Sequence, residues 1–384
     1  MIQLYMIKKV FPILAFSMFS TMLGFGLIAP VLPLYAEEMG ATGIGVGLIF
    51  AGWGITSFVA TPIMGRLSDL KGRKRFLCIG LLSYCILSLG YIWAATVPQL
   101  ILVRLLQGVA AAMVTPIAFA YIGDISPEGE EGKWMGYANA AFFGGYAIGP
   151  LIGGVVTEHL GINAAFYSMS GLCLLASLAV ILFLPKSSQR KMERGEHLSF
   201  KKMSASSMIR GLFSFRLALA TGWGSVIAFL PIFSVTYMGL STTLIGIVLT
   251  TGMLLMTLLS PLGGRIADRF NRRVLIIIGN IIFIAYLALI PLTRNFWQLL
   301  GPCLLGGIGA AISVPAASAL IVEEGKKFGM GSAMAIFTMA MSLGMIIGPI
   351  ISGGIAESLG TISVFYFAST VGVVGGALFA WFTR

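Results

Sequence analysis

The sequence predicts an all-α membrane protein with twelve transmembrane helices arranged as two six-helix pseudo-symmetric bundles, and three observations carry that expectation. Of 384 residues, 58% are hydrophobic and only 10% are charged, with a mean hydropathy of +0.96, and one soluble core cannot hold that much apolar surface. Apolar runs long enough to cross a bilayer, about 20 residues each, recur along the chain. The sequence also repeats itself at a fixed offset of 199 residues.

The apolar runs place six spans near 10–35, 44–64, 76–95, 99–122, 134–157 and 164–184. A polar stretch follows at 186–210, with seven Lys and Arg and no run long enough to span, and it reads as a linker. Six more spans fit near 213–237, 243–264, 274–292, 297–321, 330–354 and 361–382. The expected organisation is therefore an N-terminal six-helix bundle over 1–185, a cytoplasmic linker over 186–210 and a C-terminal six-helix bundle over 211–384. The apolar run from Val10 to Leu34 is too long for a signal-peptide core and lacks a small-residue cleavage site, so it reads as an uncleaved first helix. Forty-nine glycines suit helices that pack closely in lipid.

Charge supplies the orientation. With both termini on one side, 23 of the 25 Lys and Arg fall on that side; only Arg294 falls in an outer loop and Arg104 within a span. Basic loops stay cytoplasmic, so a multi-pass plasma (inner) membrane protein with cytoplasmic termini is expected, and the net charge of +11 is an orientation signal. Nucleic-acid binding is excluded, because it needs a basic face on a soluble fold. Cys78, Cys85, Cys173 and Cys303 all fall in apolar segments and read as packing residues, with no disulfide and no metal site. His159 and His197 fall on opposite sides of the membrane, so no histidine dyad forms, and no clustered nucleophile or acid/base set suggests an enzyme. No cofactor is expected.

The repeat keeps one register along the chain. Pro62, Gly65, Arg66, Asp69 and Arg73 align with Pro261, Gly264, Arg265, Asp268 and Arg272; Gln99, Gly108, Ala111, Ala112 and Pro116 align with Gln298, Gly307, Ala310, Ala311 and Pro315; Gly149, Pro150, Gly154, Glu158 and Gly161 align with Gly348, Pro349, Gly353, Glu357 and Gly360. Six spans separate equivalent positions, so both copies have one orientation, with an expected axis along the membrane normal and a central cavity.

After the second span comes Gly65-Arg-Leu-Ser-Asp-Leu-Lys-Gly-Arg-Lys-Arg75. It resembles the G-x-L-(a)-D-(r)-x-G-r-(k)-x-R loop of the major facilitator superfamily, and a degraded copy, Gly264 to Arg273, follows the eighth span as it does in that family. The resemblance covers the whole chain and implies the MFS fold. In itself, Gly72 permits a tight turn and the basic cluster holds the loop cytoplasmic. The resemblance implies a latch in which Asp69 and Arg73 bridge the two halves, with Asp124 as a third member and Asp268 and Arg272 as the second-half copy. The competing reading is a purely topological loop against anionic headgroups.

Arg104, followed by Gln107 and Gly108, is a functional candidate because an ion within a span is costly. It resembles the arginine of the family's fourth-helix motif, which implies proton coupling or substrate contact; the alternative is a side chain snorkelling to the outer headgroups. In the fifth span, Gly145, Gly149 and Gly153 share one helix face and Pro150 breaks the backbone ladder. The Gly149-Pro150 motif resembles that of drug/proton antiporters and implies export, against the alternative of a packing seam.

No carboxylate lies within a span: all fourteen Asp and Glu are in loops or at helix ends. Proton coupling would therefore fall to Asp124 or to Glu37 and Glu38, with His159 a weaker candidate, and a neutral or anionic apolar substrate is favoured over a lipophilic cation. Family analogy makes Phe25, Trp53, Tyr121, Tyr146, Trp223 and Phe229 cavity candidates, although such a residue is more often ordinary helix packing or lipid contact than ligand contact. The expected function is alternating-access export of a drug-like hydrophobic small molecule in exchange for protons, by a monomer in the lipid bilayer; the alternatives are uptake, lipid or metabolite translocation, and a receptor or scaffold without transport.

Overall fold

The computed structural model describes residues 2–127, 131–185, 206–328 and 330–384, and among these every regular element is helical. The expected linker therefore lies, up to residue 205, outside the described residues, as does His197. Fourteen α-helices run in chain order: α1 (Ile2–Ile28), α2 (Leu32–Glu38), α3 (Gly43–Lys71), α4 (Arg73–Trp93), α5 (Val97–Ala112), α6 (Thr115–Ile125), α7 (Glu131–Leu160) and α8 (Ile162–Phe183), then α9 (Ser207–Met238), α10 (Thr242–Arg269), α11 (Arg272–Leu289), α12 (Phe296–Phe328), α13 (Met330–Leu359) and α14 (Thr361–Phe382). Twelve stretches are long and apolar enough to cross a membrane, one for each span read from the sequence.

Two of those spans differ from a simple rod. The run expected at 10–35 divides after Ile28 into α1 and α2, at the segment Ala29-Pro30-Val31. A proline has no amide to donate and disfavours helix in the residue before it. The fourth span breaks at Met113 and Val114, just before Pro116, into α5 and α6. Its second-half counterpart Pro315 lies inside the continuous α12, so the repeat is not exact in backbone.

The described residues form two compact units, one of those within 2–35 and 52–185 and the other of those within 36–51 and 206–384. The short segment 36–51 belongs to the second because Gly43 and Gly47 lie directly against the α13 backbone at Gly353 and Pro349. In the first unit, Ile7, Val10, Leu14 and Met18 of α1 pack with Leu77 and Leu81 of α4, Ile117 and Tyr121 of α6, and Ala176 and Val180 of α8.

The glycine face of α7 is built against α1. A Cβ at Gly153 would lie 1.9 Å from the Leu27 carbonyl oxygen, and one at Gly149 only 2.6 Å from Gly26 Cα. In the second unit, Gly344 and Gly348 of α13 lie against Leu217 and Thr221 of α9 in the same way. Helix ends repeat too. Gln99 Oε1 accepts from the Ala95 amide at 2.7 Å, and Gln298 Oε1 from the Arg294 amide at 2.9 Å. Lys74 Nζ donates to the carbonyls of Ile181 and Leu184 at 2.8 and 2.5 Å, where α8 ends; Arg273, 199 residues on, donates to the Thr383 carbonyl, where α14 ends. Basic side chains thus satisfy carbonyls that a helix terminus leaves open.

Candidate functional site

The loop between α3 and α4 turns on Gly72, whose φ of +92° is a left-handed conformation that a side chain resists. That turn delivers Arg73, the first residue of α4, to two carboxylates. Arg73 Nη2 lies 3.0 Å from Asp69 Oδ1 and Arg73 Nε 2.9 Å from Asp124 Oδ2. The Arg73 side chain is only 9% exposed, so these are charge-assisted contacts in a partly dry setting. Gly65, at the start of the loop motif, has open space where a Cβ would go and makes no close approach.

The second unit carries a looser copy. Asn271 replaces Gly72 and caps α11 by accepting from the Arg273 amide. Arg272 bonds Glu323, lies 3.7 Å from Asp268, and donates through Nε to the Ala267 carbonyl at 3.0 Å. Glu323 stands 199 residues after Asp124, so the repeat register marks it although the sequence analysis did not.

Deep in the first unit, Arg104 is 1% exposed, so its guanidinium does not snorkel from the helix end. Its Cζ lies 5.3 Å from the Phe25 ring centroid, within cation–π range. Phe25 in turn meets Trp53 and Tyr146 at centroid distances of 4.9 and 5.7 Å. The Tyr91 hydroxyl donates to Gln107 Oε1 at 2.6 Å and also interacts with Arg104. The Trp53 and Tyr84 side chains interact with each other, and Gln107 Nε2 is buried with no hydrogen-bond partner among the described residues. An aromatic wall beside a buried cation and one unpaired amide donor is an amphipathic cluster, since buried polar groups are expected to be satisfied.

The structure thus brings together Phe25, Trp53, Tyr146, Arg104 and Gln107, and adds the fully buried Tyr84 and Tyr91. Tyr121 lies elsewhere, near the charged end, where its hydroxyl donates to the Pro185 carbonyl at 3.1 Å. Trp223 packs edge-on to Phe283 at 6.5 Å, and Phe229 is buried within the second unit. Glu37 and Glu38 end α2 and remain exposed, yet partial desolvation raises the Glu37 carboxyl above the usual glutamate range. His159 lies in the last turn of α7. Sequence reasoning also passed over Arg216, which lies inside α9 and bonds no carboxylate among the described residues. Its place near the start of a long apolar run made it read as a flanking charge.

Two repeated sets of six spans, each with an arginine–carboxylate cluster at equivalent positions, define a multi-pass membrane protein built as a tandem repeat. The Major Facilitator Superfamily pattern matches residues 14–244 and 212–384. An MFS-type transporter of Methanocaldococcus jannaschii is 31% identical over 97% of both chains, and Multidrug resistance protein 1 of Bacillus subtilis is 30% identical over 96% of this chain and 95% of the relative. The fold matches the crystal structure of a bacterial homologue of the human lysosomal transporter Spinster with a TM-score of 0.84, 14% identity, and coverage of 100% and 97%. The chain belongs to the Major Facilitator Superfamily.

Proposed function

We propose that the chain is a secondary active transporter that exports drug-like hydrophobic small molecules from the cell by alternating access, in exchange for protons. It acts as a monomer in the plasma (inner) membrane with both termini cytoplasmic. The observation that carries this reading is the buried Arg104 beside the Phe25, Trp53 and Tyr146 rings, a cluster whose chemistry suits flat apolar solutes. Export is supported by the Gly149-Pro150 motif and by full-length relatives named for multidrug resistance.

In this reading Asp69, Arg73 and Asp124, with Asp268, Arg272 and Glu323 as the second copy, hold and release one conformational state. The pliable Gly149-Pro150 face of α7 permits the motion. Protons are exchanged through Asp124 or through Glu37 and Glu38, and Arg104 with Gln107 contacts the substrate. The raised carboxyl of Glu37 favours that residue as the outer proton site.

The test is uptake of a lipophilic fluorescent dye into inverted proteoliposomes with an imposed pH gradient of either sign and an empty-vesicle control. Accumulation that requires an acidic interior supports a proton-coupled exporter. Movement only in the opposite sense, or none across a dye panel, rejects that reading in favour of uptake or of a lipid or metabolite substrate.

A further inference from the structure

Arg216 is the charge in the second unit whose position the fold does not explain. It lies nine residues after Ser207 in the 32-residue α9, about 14 Å along the axis at the usual rise. A hydrocarbon layer of about 30 Å centred on that helix places the Arg216 Cα within the apolar zone. Arg210, earlier in the same helix, instead stacks its guanidinium on Phe382 at 4.7 Å and remains exposed.

Among the described residues no carboxylate neutralises Arg216. Nη2 lies 2.9 Å from the Met341 thioether, a weak acceptor. Cζ lies 5.0 Å from the Phe337 ring centroid. Nε is buried with no hydrogen-bond partner among the described residues, whereas the residue as a whole is only partly buried. An unpaired cation at this depth is expensive. The repeat does not demand it either: the position 199 residues earlier is Ser17, whose hydroxyl bonds its own helix at the Ile13 carbonyl, and the first unit packs well around it. A cost that the fold does not require points to a ligand that offsets it.

We propose that Arg216, Phe337 and Met341 form an acid-recognition site for an amphipathic organic anion, which lays a carboxylate, sulfonate or phosphate on the guanidinium and its apolar body on the ring and thioether. The planar fork suits such groups, and the two apolar side chains, both on α13, suit what is attached to them. This names the substrate class of the transporter proposed above and rests on that reading for its purpose, though not for its test.

The full-length protein in phosphatidylcholine nanodiscs is titrated with a dansyl-labelled long-chain fatty acid and with its methyl ester. The acid should bind at least about tenfold tighter than the ester, as a charge-assisted contact implies. Arg216→Gln should remove that preference, and its persistence would overturn the site. Where Arg216→Gln does not assemble, Arg216→Lys keeps the charge and should lose about threefold or more of the preference; an undiminished preference overturns the site equally. Discs containing phosphatidylglycerol separate the two sources of anion. A preference that survives anionic lipid supports a transported anion, whereas one that vanishes assigns Arg216 to a lipid headgroup and overturns the substrate reading. Binding needs no gradient, so a wild-type preference without gradient-driven dye movement removes proton-coupled export alone, and the converse removes this site alone.

Discussion

Arg73 Nε lies 2.9 Å from Asp124 Oδ2, tying the first residue of α4 to the last turn of α6. Because the arginine is nearly buried and also meets Asp69, the pair should carry more energy than an exposed one. A double-mutant cycle with Arg73→Gln and Asp124→Asn, read by denaturation in detergent, should give a coupling of about 1–3 kcal/mol. Additive losses would mean that the contact is incidental. Asp69→Asn should slow transport while leaving insertion intact, and unchanged turnover would remove the latch.

The α1–α7 seam makes a sharper steric prediction. A methyl group at Gly153 meets the Leu27 carbonyl oxygen, a backbone atom that cannot swing aside, whereas at Gly136 of the same helix it meets nothing within 4 Å. Gly153→Ala should therefore cost roughly 1–3 kcal/mol by overpacking. Gly136→Ala should be neutral or gain up to about 1 kcal/mol from helix propensity. Thermal midpoints of the two variants check this, and equal midpoints would show that the seam yields freely.

Much of this arrangement was legible in the sequence, and the parts that were not have physical causes. Span number followed from apolar length, and the turns at Gly161 and Gly360, both with φ of +82°, occupy aligned positions of the repeat. Arg73, Asp69 and Asp124 came from a charged motif and the end of a span. Tyr84 and Tyr91 escaped because a tyrosine in an apolar run looks like packing until its hydroxyl is placed; the Tyr91 hydroxyl meets Gln107 through a tertiary contact between α4 and α5. The break between α1 and α2 escaped because several other prolines, among them Pro62 and Pro150, sit inside unbroken helices.

Arg104 supplies a prediction in which charge alone is insufficient. Its guanidinium faces Phe25 and reaches Tyr91, so shape and charge act together. Arg104→Ala should lower transport by about tenfold or more, and Arg104→Lys should recover little of it, since an ammonium neither stacks nor forks. Dye flux in proteoliposomes at matched protein content decides. A fully active Arg104→Ala variant would remove the residue from substrate contact and coupling.

Glu37 gives a prediction in pH. Its carboxyl is raised in the folded protein by desolvation, so between the ordinary glutamate pKa and the raised value the folded state holds more proton than the unfolded one. Stability from this group is then fully present at low pH and falls as pH rises through that window. Glu37→Gln removes the slope: wild type and variant should match near about pH 4, and the variant should be the more stable at about pH 7. Thermal midpoints across that range test the sign. A variant that loses ground as pH rises would mean that a cation, rather than desolvation, governs this carboxyl.

The second charge cluster should matter less than the first, and its geometry says why. The side chains of Arg272, Glu323 and Asp268 are 25, 53 and 74% exposed, against 9, 26 and 36% for Arg73, Asp124 and Asp69. Water therefore screens the second set, and Arg272 spends one donor on its own backbone at Ala267. A cycle with Arg272→Gln and Glu323→Gln should return a coupling of under about 1 kcal/mol, in the range of surface pairs. Turnover should follow the same order, with Asp124→Asn the slower variant and Glu323→Gln closer to wild type. Equal losses in the two variants would mean that the clusters act as one switch whose strength is set by conformational change, and that exposure in a single state does not rank them.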